Sequence, residues 1–169
     1  MLNLSAQTIL PIACLLLLLL AAITDLAWRI IPNRIPVLVG GIGLLTQYIA
    51  GTERAGLMRA TIVLVICLLL WWLRIIGGGD AKLLPAVALC VPQTQTLALY
   101  MAITFAGAAL GLVYLGLRPL LRNRPISPPS GRAVARWRRA LRVERWRIGH
   151  GGPLPYGVAI AAGAMFVIL

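Results

Sequence analysis

Residues 9–27 read ILPIACLLLLLLAAITDLA, an apolar run in which Asp25 is the single charged residue. A helix of this length is about 28 Å long, which matches the hydrocarbon core of a bilayer. A cleaved signal peptide needs basic residues ahead of its apolar run, but residues 1–8 contain no Lys or Arg. The run therefore predicts a membrane-spanning helix.

The composition of the whole chain agrees with a membrane protein. Of its 169 residues, 60% are hydrophobic and 12% are charged, whereas about a quarter are charged in an ordinary soluble domain. A soluble domain of this size could not bury so much apolar surface, and such an apolar content also excludes intrinsic disorder. The sequence predicts an all-α polytopic protein that forms a single integral-membrane domain over residues 1–169.

Five further apolar runs follow the first one, and together they predict about six transmembrane helices. These runs cover residues 36–50, 57–76, 80–91, 94–117 and 153–169. The second and fourth of the six segments are short, so they require tilt or partial burial within the protein.

The basic residues predict the orientation of these helices. With the amino terminus outside, the inner loops contain 14 of the 16 Lys and Arg residues, and only Arg54 and Arg59 lie on the outer side. An excess of basic residues marks cytoplasmic loops. We therefore expect a multi-pass membrane protein with both termini outside.

A long basic loop, residues 118–152, contains ten arginines and is expected in the cytoplasm. Within it, residues 132–148 predict an amphipathic helix. Its apolar side is formed by Val134, Trp137, Leu141 and Ile148, and Glu144 falls on that same side. We expect this helix to lie on the anionic inner leaflet. Nucleic-acid binding is not expected, because the membrane topology already accounts for the arginines.

Two of the four acidic residues lie at the ends of predicted membrane helices. Asp25 is close to the inner end of the first helix, and Asp80 begins the fourth, directly after Gly77, Gly78 and Gly79. The topology places both carboxyl groups at one depth near the cytoplasmic face. A carboxylate at membrane depth is costly, so it indicates a functional site.

Two neighbouring carboxyl groups suit the hydrolysis of a peptide bond without a metal or a cofactor. Both cannot ionise easily, so they share one proton, and one can activate water while the other protonates the leaving group. A glycine-lined strip beside Asp80 would admit an extended peptide. No metal site is expected, because His150 is the only histidine and the three cysteines are separate residues in apolar runs, where each is expected to be a small buried hydrophobe.

Three segments resemble the motifs of the type IV prepilin peptidases, in the order found in that family. They are DLAWRIIPN at residues 25–33, GGGDAKL at 77–83, which is similar to the family's GxGD-x-K-L motif, and LPYGVAI at 154–160. The resemblance covers nearly the whole chain. It implies an aspartic endopeptidase of the cell inner membrane that cuts the basic leader from type IV pilin-like precursors at the cytoplasmic face.

The resemblance also implies roles for individual residues. By motif position, Asp25 and Asp80 form the catalytic pair, whereas Asn33, Lys82 and the three glycines bind substrate or support the site. The chain contains no C-x-x-C motif. It therefore looks like the short, peptidase-only form often associated with tight-adherence pilus systems, and no N-methyltransferase activity is expected.

Two other functions remain open at the level of the sequence. A small proton-coupled transporter could relay protons through Asp25 and Asp80, although the apolar runs show no repeated halves. A non-catalytic subunit of a pilus or secretion machine could use the arginine-rich loop as a docking surface. Cleavage that depends on the two aspartates would separate the peptidase from both alternatives.

Overall fold

The computed structural model describes residues 2–122 and 136–168. Within those ranges the chain is all-helical, as predicted, with seven α-helices and no strand. The helices are α1 (Leu2–Trp28), α2 (Arg34–Ile49), α3 (Glu53–Trp72), α4 (Gly78–Leu89), α5 (Thr96–Arg122), α6 (Arg136–His150) and α7 (Tyr156–Ile168). A short 3₁₀ turn, Gln93–Gln95, precedes α5.

Three helical segments are long and apolar enough to cross a membrane. They are Ile9–Trp28, Glu53–Trp72 and Gln93–Arg122, which lie in α1, in α3 and in α5 with its preceding turn. Helices α2 and α7 are shorter and apolar. The observed helices overlap the predicted runs, and the crossing of the membrane by α2, α4 and α7 stays a prediction.

The carboxyl-terminal end of α3 differs from the predicted one. The apolar run extends to residue 76, but α3 ends at Trp72 because Arg74 adopts a left-handed backbone with φ 59°. This conformation reverses the chain, and the N–H of Ile75 then donates to the carbonyl oxygen of Leu70 at 2.9 Å. Local backbone geometry, rather than hydropathy, sets this helix end.

A helix, α6, lies in the segment that was predicted to be amphipathic, and the exposure of only part of the predicted apolar side is described. Ile148 is buried as predicted, whereas Leu141 is 56% exposed. Val134 and the side chain of Trp137 lie outside the described residues. Glu144, the acid on the apolar side, is buried.

Helices α1, α2, α4, α5 and α7 surround the core. Its fully buried side chains include Cys14, Leu18, Val39, Leu83, Val87, Leu99, Ile103 and Ile160. The closest packing joins α5 to α7, because a Cβ on Gly163 would lie 2.5 Å from the backbone nitrogen of Ile103. No residue larger than glycine fits there without separating the two helices.

The outward faces of several helices are strongly apolar. Phe105, Leu112 and Phe166 are 71%, 72% and 84% exposed. Contiguous apolar surface of this kind is unfavourable in water. It indicates that lipid covers these faces.

Helix α4 is about 18 Å long, shorter than a hydrocarbon core of about 30 Å, so its ends lie inside that core if the helix spans a membrane. Its last carbonyl groups therefore need hydrogen-bond donors from elsewhere in the protein. Gln47 Nε2 donates to the carbonyl oxygens of Leu89 and Val91 at 3.0 and 2.9 Å. Arg59 Nη2 donates to those of Ala88 and Val91 at 2.9 and 3.0 Å. Side chains from α2 and α3 thus hold the carboxyl-terminal end of α4.

Candidate active site

Asp25 lies in the last turn of α1 and is 8% exposed. Its Oδ2 accepts a hydrogen bond of 2.8 Å from the N–H of Gly157, in the first turn of α7. The first N–H groups of a helix have no partner within the helix and carry partial positive charge, so they stabilise a carboxylate. The amino-terminal end of α7 therefore holds the Asp25 carboxylate.

Gly157 brings the backbone of α7 into direct contact with Asp25. A Cβ at Gly157 would lie 3.0 Å from both Cβ and Oδ2 of Asp25. This distance is shorter than an ordinary van der Waals contact, so any side chain at this position would displace the carboxylate.

Asp80 is the third residue of α4, in its first turn, and the N-cap residue of this helix is Gly77. The side chain is partly buried and turns back over the start of the helix, because a Cβ on Gly77 would lie 3.0 Å from Asp80 Oδ2. An acidic residue in the first turn is favoured by the helix dipole. Both candidate carboxylates therefore lie at the amino-terminal end of a helix.

The two carboxyl groups lie in one site. Asp25 lies within electrostatic range of Asp80, and the guanidinium of Arg29 lies within electrostatic range of both carboxyl groups. Tyr156 of α7 lies within electrostatic range of Asp80. The residue after Tyr156 is Gly157, whose N–H binds Asp25. Three helices, α1, α4 and α7, thus converge on this pair.

Asn33 and Lys82, the other polar residues singled out from the sequence, are in contact with each other. Lys82 Nζ donates to Asn33 Oδ1 at 3.0 Å. Asn33 is the N-cap residue of α2, and Lys82 lies two residues after Asp80. The contact ties the start of α2 to the first turn of α4 and is exposed, so both polar groups remain accessible beside the pair.

The three glycines before and at the start of α4 are packed by side chains of the same chain. A Cβ would lie 3.0 Å from Asp80 Oδ2 at Gly77, 3.2 Å from Trp71 Nε1 at Gly78, and 3.1 Å from Ile31 Cβ at Gly79. At these three positions, the space left by the missing Cβ is thus approached by side chains of this chain. Their role in admitting a peptide stays a prediction.

Sequence reasoning missed a buried polar cluster around Glu144, which is only 7% exposed. Its Oε1 accepts hydrogen bonds from Arg29 Nη2 at 2.5 Å and from the Tyr114 hydroxyl. Its Oε2 accepts one from Arg147 Nη1 at 3.1 Å. The signal was present in the sequence, because an acid on the apolar side of an arginine-rich helix needs a buried partner.

The Glu144 cluster connects the basic helix α6 to the candidate site. Arg29 follows the last residue of α1 and has a left-handed backbone with φ 57°, which is unfavourable for a residue with a Cβ. Its N–H donates to the carbonyl oxygen of Asp25 at 2.9 Å, while its side chain reaches Glu144. The end of α1 that bears Asp25 is therefore fixed through Arg29 to α6.

Glu144→Ala should loosen α6 from the rest of the protein. The change leaves Arg29 and Tyr114 without their acceptor, and loss of one partner of a largely buried ion pair costs about 3 kcal/mol. We expect trypsin to cut after Arg142 and Arg145 faster than in the parent protein, and the thermal midpoint in detergent to fall. Glu53→Ala, at the start of α3, is the control. Equal cleavage rates for Glu144→Ala and the parent would show that the cluster does not hold α6.

His150 does not join the carboxylate pair in any hydrogen bond or ion pair of the described structure. It is the last residue of α6, is exposed, and stacks on Trp146 with ring centroids 4.5 Å apart. Among the described residues, no group of three or more His, Cys, Asp or Glu side chains could hold a metal ion.

A model of the type IV leader peptidase family matches residues 12–116. The matched range contains Asp25, Asn33, Asp80 and Lys82, whereas α6 and α7 lie beyond it. No curated protein and no solved structure matches the chain.

Proposed function

The chain belongs to the type IV leader peptidase family, and from that premise we propose that it is a membrane aspartic endopeptidase. Its proposed substrate is a type IV pilin-like precursor, from which it removes the basic leader at the cytoplasmic face. The observation that supports the proposal is that Asp25, in the last turn of α1, lies within electrostatic range of Asp80, in the first turn of α4. Asn33 and Lys82 are proposed to support substrate binding beside the pair.

The proposed chemistry needs one carboxylate and one carboxylic acid. The carboxylate removes a proton from water, whose oxygen attacks the carbonyl carbon of the scissile bond, and the acid protonates the leaving nitrogen. Because the N–H of Gly157 stabilises negative charge on Asp25, we assign Asp25 as the base and Asp80 as the acid. No metal or cofactor takes part in this scheme.

The proposed topology has six membrane helices, α1–α5 and α7, with both termini outside and the basic segment 118–152 in the cytoplasm. The distribution of Lys and Arg supports it. A reporter enzyme that works only in the cytoplasm should be active when it is fused after Arg124. A reporter enzyme that works only outside the cytoplasm should be active when it is fused after Leu169. Activity of both fusions on the same side of the membrane would contradict this topology.

We further propose that α6 rests on the anionic lipids of the inner leaflet. Its exposed side chains include Leu141, Arg145 and Trp146, and this mixture of apolar, aromatic and cationic groups is typical of interfacial helices. Backbone amides of α6 should exchange hydrogen more slowly in vesicles with anionic lipid than in zwitterionic ones, and high salt should reduce the difference. Identical exchange in both vesicles would refute lipid binding.

The test of the proposed function is co-expression with a precursor that carries a basic leader. The precursor should become shorter, and mass spectrometry should find a free amino terminus on the product, since cleavage without methylation is proposed. The purified protein should cleave equally well with a chelator present. A precursor that keeps its leader while a transport or assembly phenotype depends on this protein would favour one of the two alternative functions.

A further inference from the structure

Cys14 of α1 and Cys90, the C-cap residue of α4, have their sulfur atoms 3.0 Å apart. Both are free thiols in this structure. Cys14 is completely buried, whereas Cys90 is partly exposed. The sulfur atoms therefore need to approach by only about 1 Å to reach the length of a disulfide bond.

The two thiols connect the same two helices that carry the candidate carboxylates. Cys14 precedes Asp25 by 11 residues in α1, and Cys90 follows Asp80 by 10 residues. At 1.5 Å per residue, the thiol pair lies about 15 Å along these helices from the carboxylates. A covalent bond between the thiols would join the middle of α1 to the carboxyl-terminal end of α4.

We propose that Cys14 and Cys90 are a disulfide-forming pair that links α1 to α4 when the protein meets a low-molecular-mass disulfide. The Cys90 thiolate, on the partly exposed residue, attacks one sulfur of the small disulfide and releases one small thiol. The Cys14 thiolate then attacks the Cys90 sulfur and releases the second small thiol. Two protein thiols are oxidised, one small disulfide is reduced, and the two protons pass to the released thiolates.

The location of the pair supports this exchange. In the proposed topology the carboxyl-terminal end of α4 faces the outer side of the membrane, and disulfides persist in oxidising compartments such as the bacterial periplasm. Cys67 of α3 is the internal control, because it is buried and has no thiol neighbour among the described residues. The pairing itself does not depend on the proposed peptidase activity.

In the experiment, the full chain in detergent is incubated with oxidised glutathione. It is then denatured, its free thiols are alkylated, and its mass is measured by mass spectrometry. We expect the protein to lose the mass of two hydrogen atoms. Only Cys67 should be alkylated, whereas all three cysteines should be alkylated in the protein that was not oxidised. Peptide mapping should find Cys14 joined to Cys90. Alkylation of all three cysteines after this incubation, or a bond that involves Cys67, would overturn the proposal without bearing on cleavage.

Single variants test the order of the two steps. Cys14→Ser should retain glutathione on Cys90, because no second thiol can displace it. Cys90→Ser should carry none on Cys14, which is completely buried. Glutathione on Cys14 but not on Cys90 would contradict the proposed point of entry.

The thermal midpoint tests whether the disulfide between Cys14 and Cys90 joins α1 to α4 within the folded protein. Reductant should lower the thermal midpoint of the oxidised parent protein, since it removes a constraint on the unfolded chain. It should leave the midpoint of Cys14→Ser unchanged. The same response in both proteins would show that the bond does not tie α1 to α4.

Discussion

Asp25→Asn and Asp80→Asn should each reduce the cleavage rate of the purified protein by at least about a thousandfold. Positioned acid–base groups contribute about 10²–10⁴-fold each, and the two groups here share one reaction. The double variant should be little slower than either single variant, because neither group can act alone. Precursor cleavage, followed by gel shift under single-turnover conditions, measures all three rates.

Asn has nearly the size of Asp, so the folded protein should persist in these variants. Glu53→Gln, which changes an acid at the start of α3, controls for the loss of one negative charge. The dependence of the parental rate on pH should be bell-shaped, with both limbs belonging to the pair. A well-folded Asn variant that cleaves at the parental rate would exclude the aspartic mechanism assigned to these residues.

Gly157→Ala should lower kcat by about tenfold, because the new Cβ displaces Asp25 by a few tenths of an ångström, and a misplacement of about 1 Å costs about a hundredfold. The new Cβ would lie 3.0 Å from both Cβ and Oδ2 of Asp25. It therefore pushes the carboxylate away from the N–H that holds it. The KM should change much less than kcat, since the substitution acts on Asp25 and not on Asn33 or Lys82.

Gly41→Ala in α2 and Gly116→Ala in α5 are matched controls, because a Cβ at either position meets nothing within 4 Å. Both should keep the parental kcat, and alanine favours a helix over glycine. If Gly157→Ala were as active as these two controls, the contact between α7 and Asp25 would have no part in catalysis.

The helices and the approach of Asp25 to Asp80 could be anticipated from the sequence, because both follow from simple rules. Apolar runs of sufficient length mark membrane helices, and the asymmetry of Lys and Arg orients them. Orientation then places the end of the first helix and the start of the fourth at one depth. The hydropathy and charge patterns predict the depth of the two carboxyl groups in the membrane. They do not predict the rotation of the helices or the partners of each carboxylate, because these depend on packing.

The remaining contacts depend on tertiary packing that no local pattern encodes. Gly157 lies in a motif that was noted, but its hydrogen bond to Asp25 joins residues 132 positions apart. The burial of Cys14 and Cys67 was predicted, whereas the proximity of Cys14 to Cys90 was not. Glu144 violated its helix pattern, and such violations point to specific partners.

The hydrogen bonds from Gln47 and Arg59 to the end of α4 have a consequence for the depth of Asp80. Because the carboxyl-terminal end of α4 is fixed to α2 and α3, the length of the helix sets the height of Asp80 above that anchor. Removal of one residue from α4 would move Asp80 by about 1.5 Å along the axis and turn it by about 100°. Helix α4 is thus a spacer of fixed length, and any substrate must present its scissile bond at the level that the spacer defines.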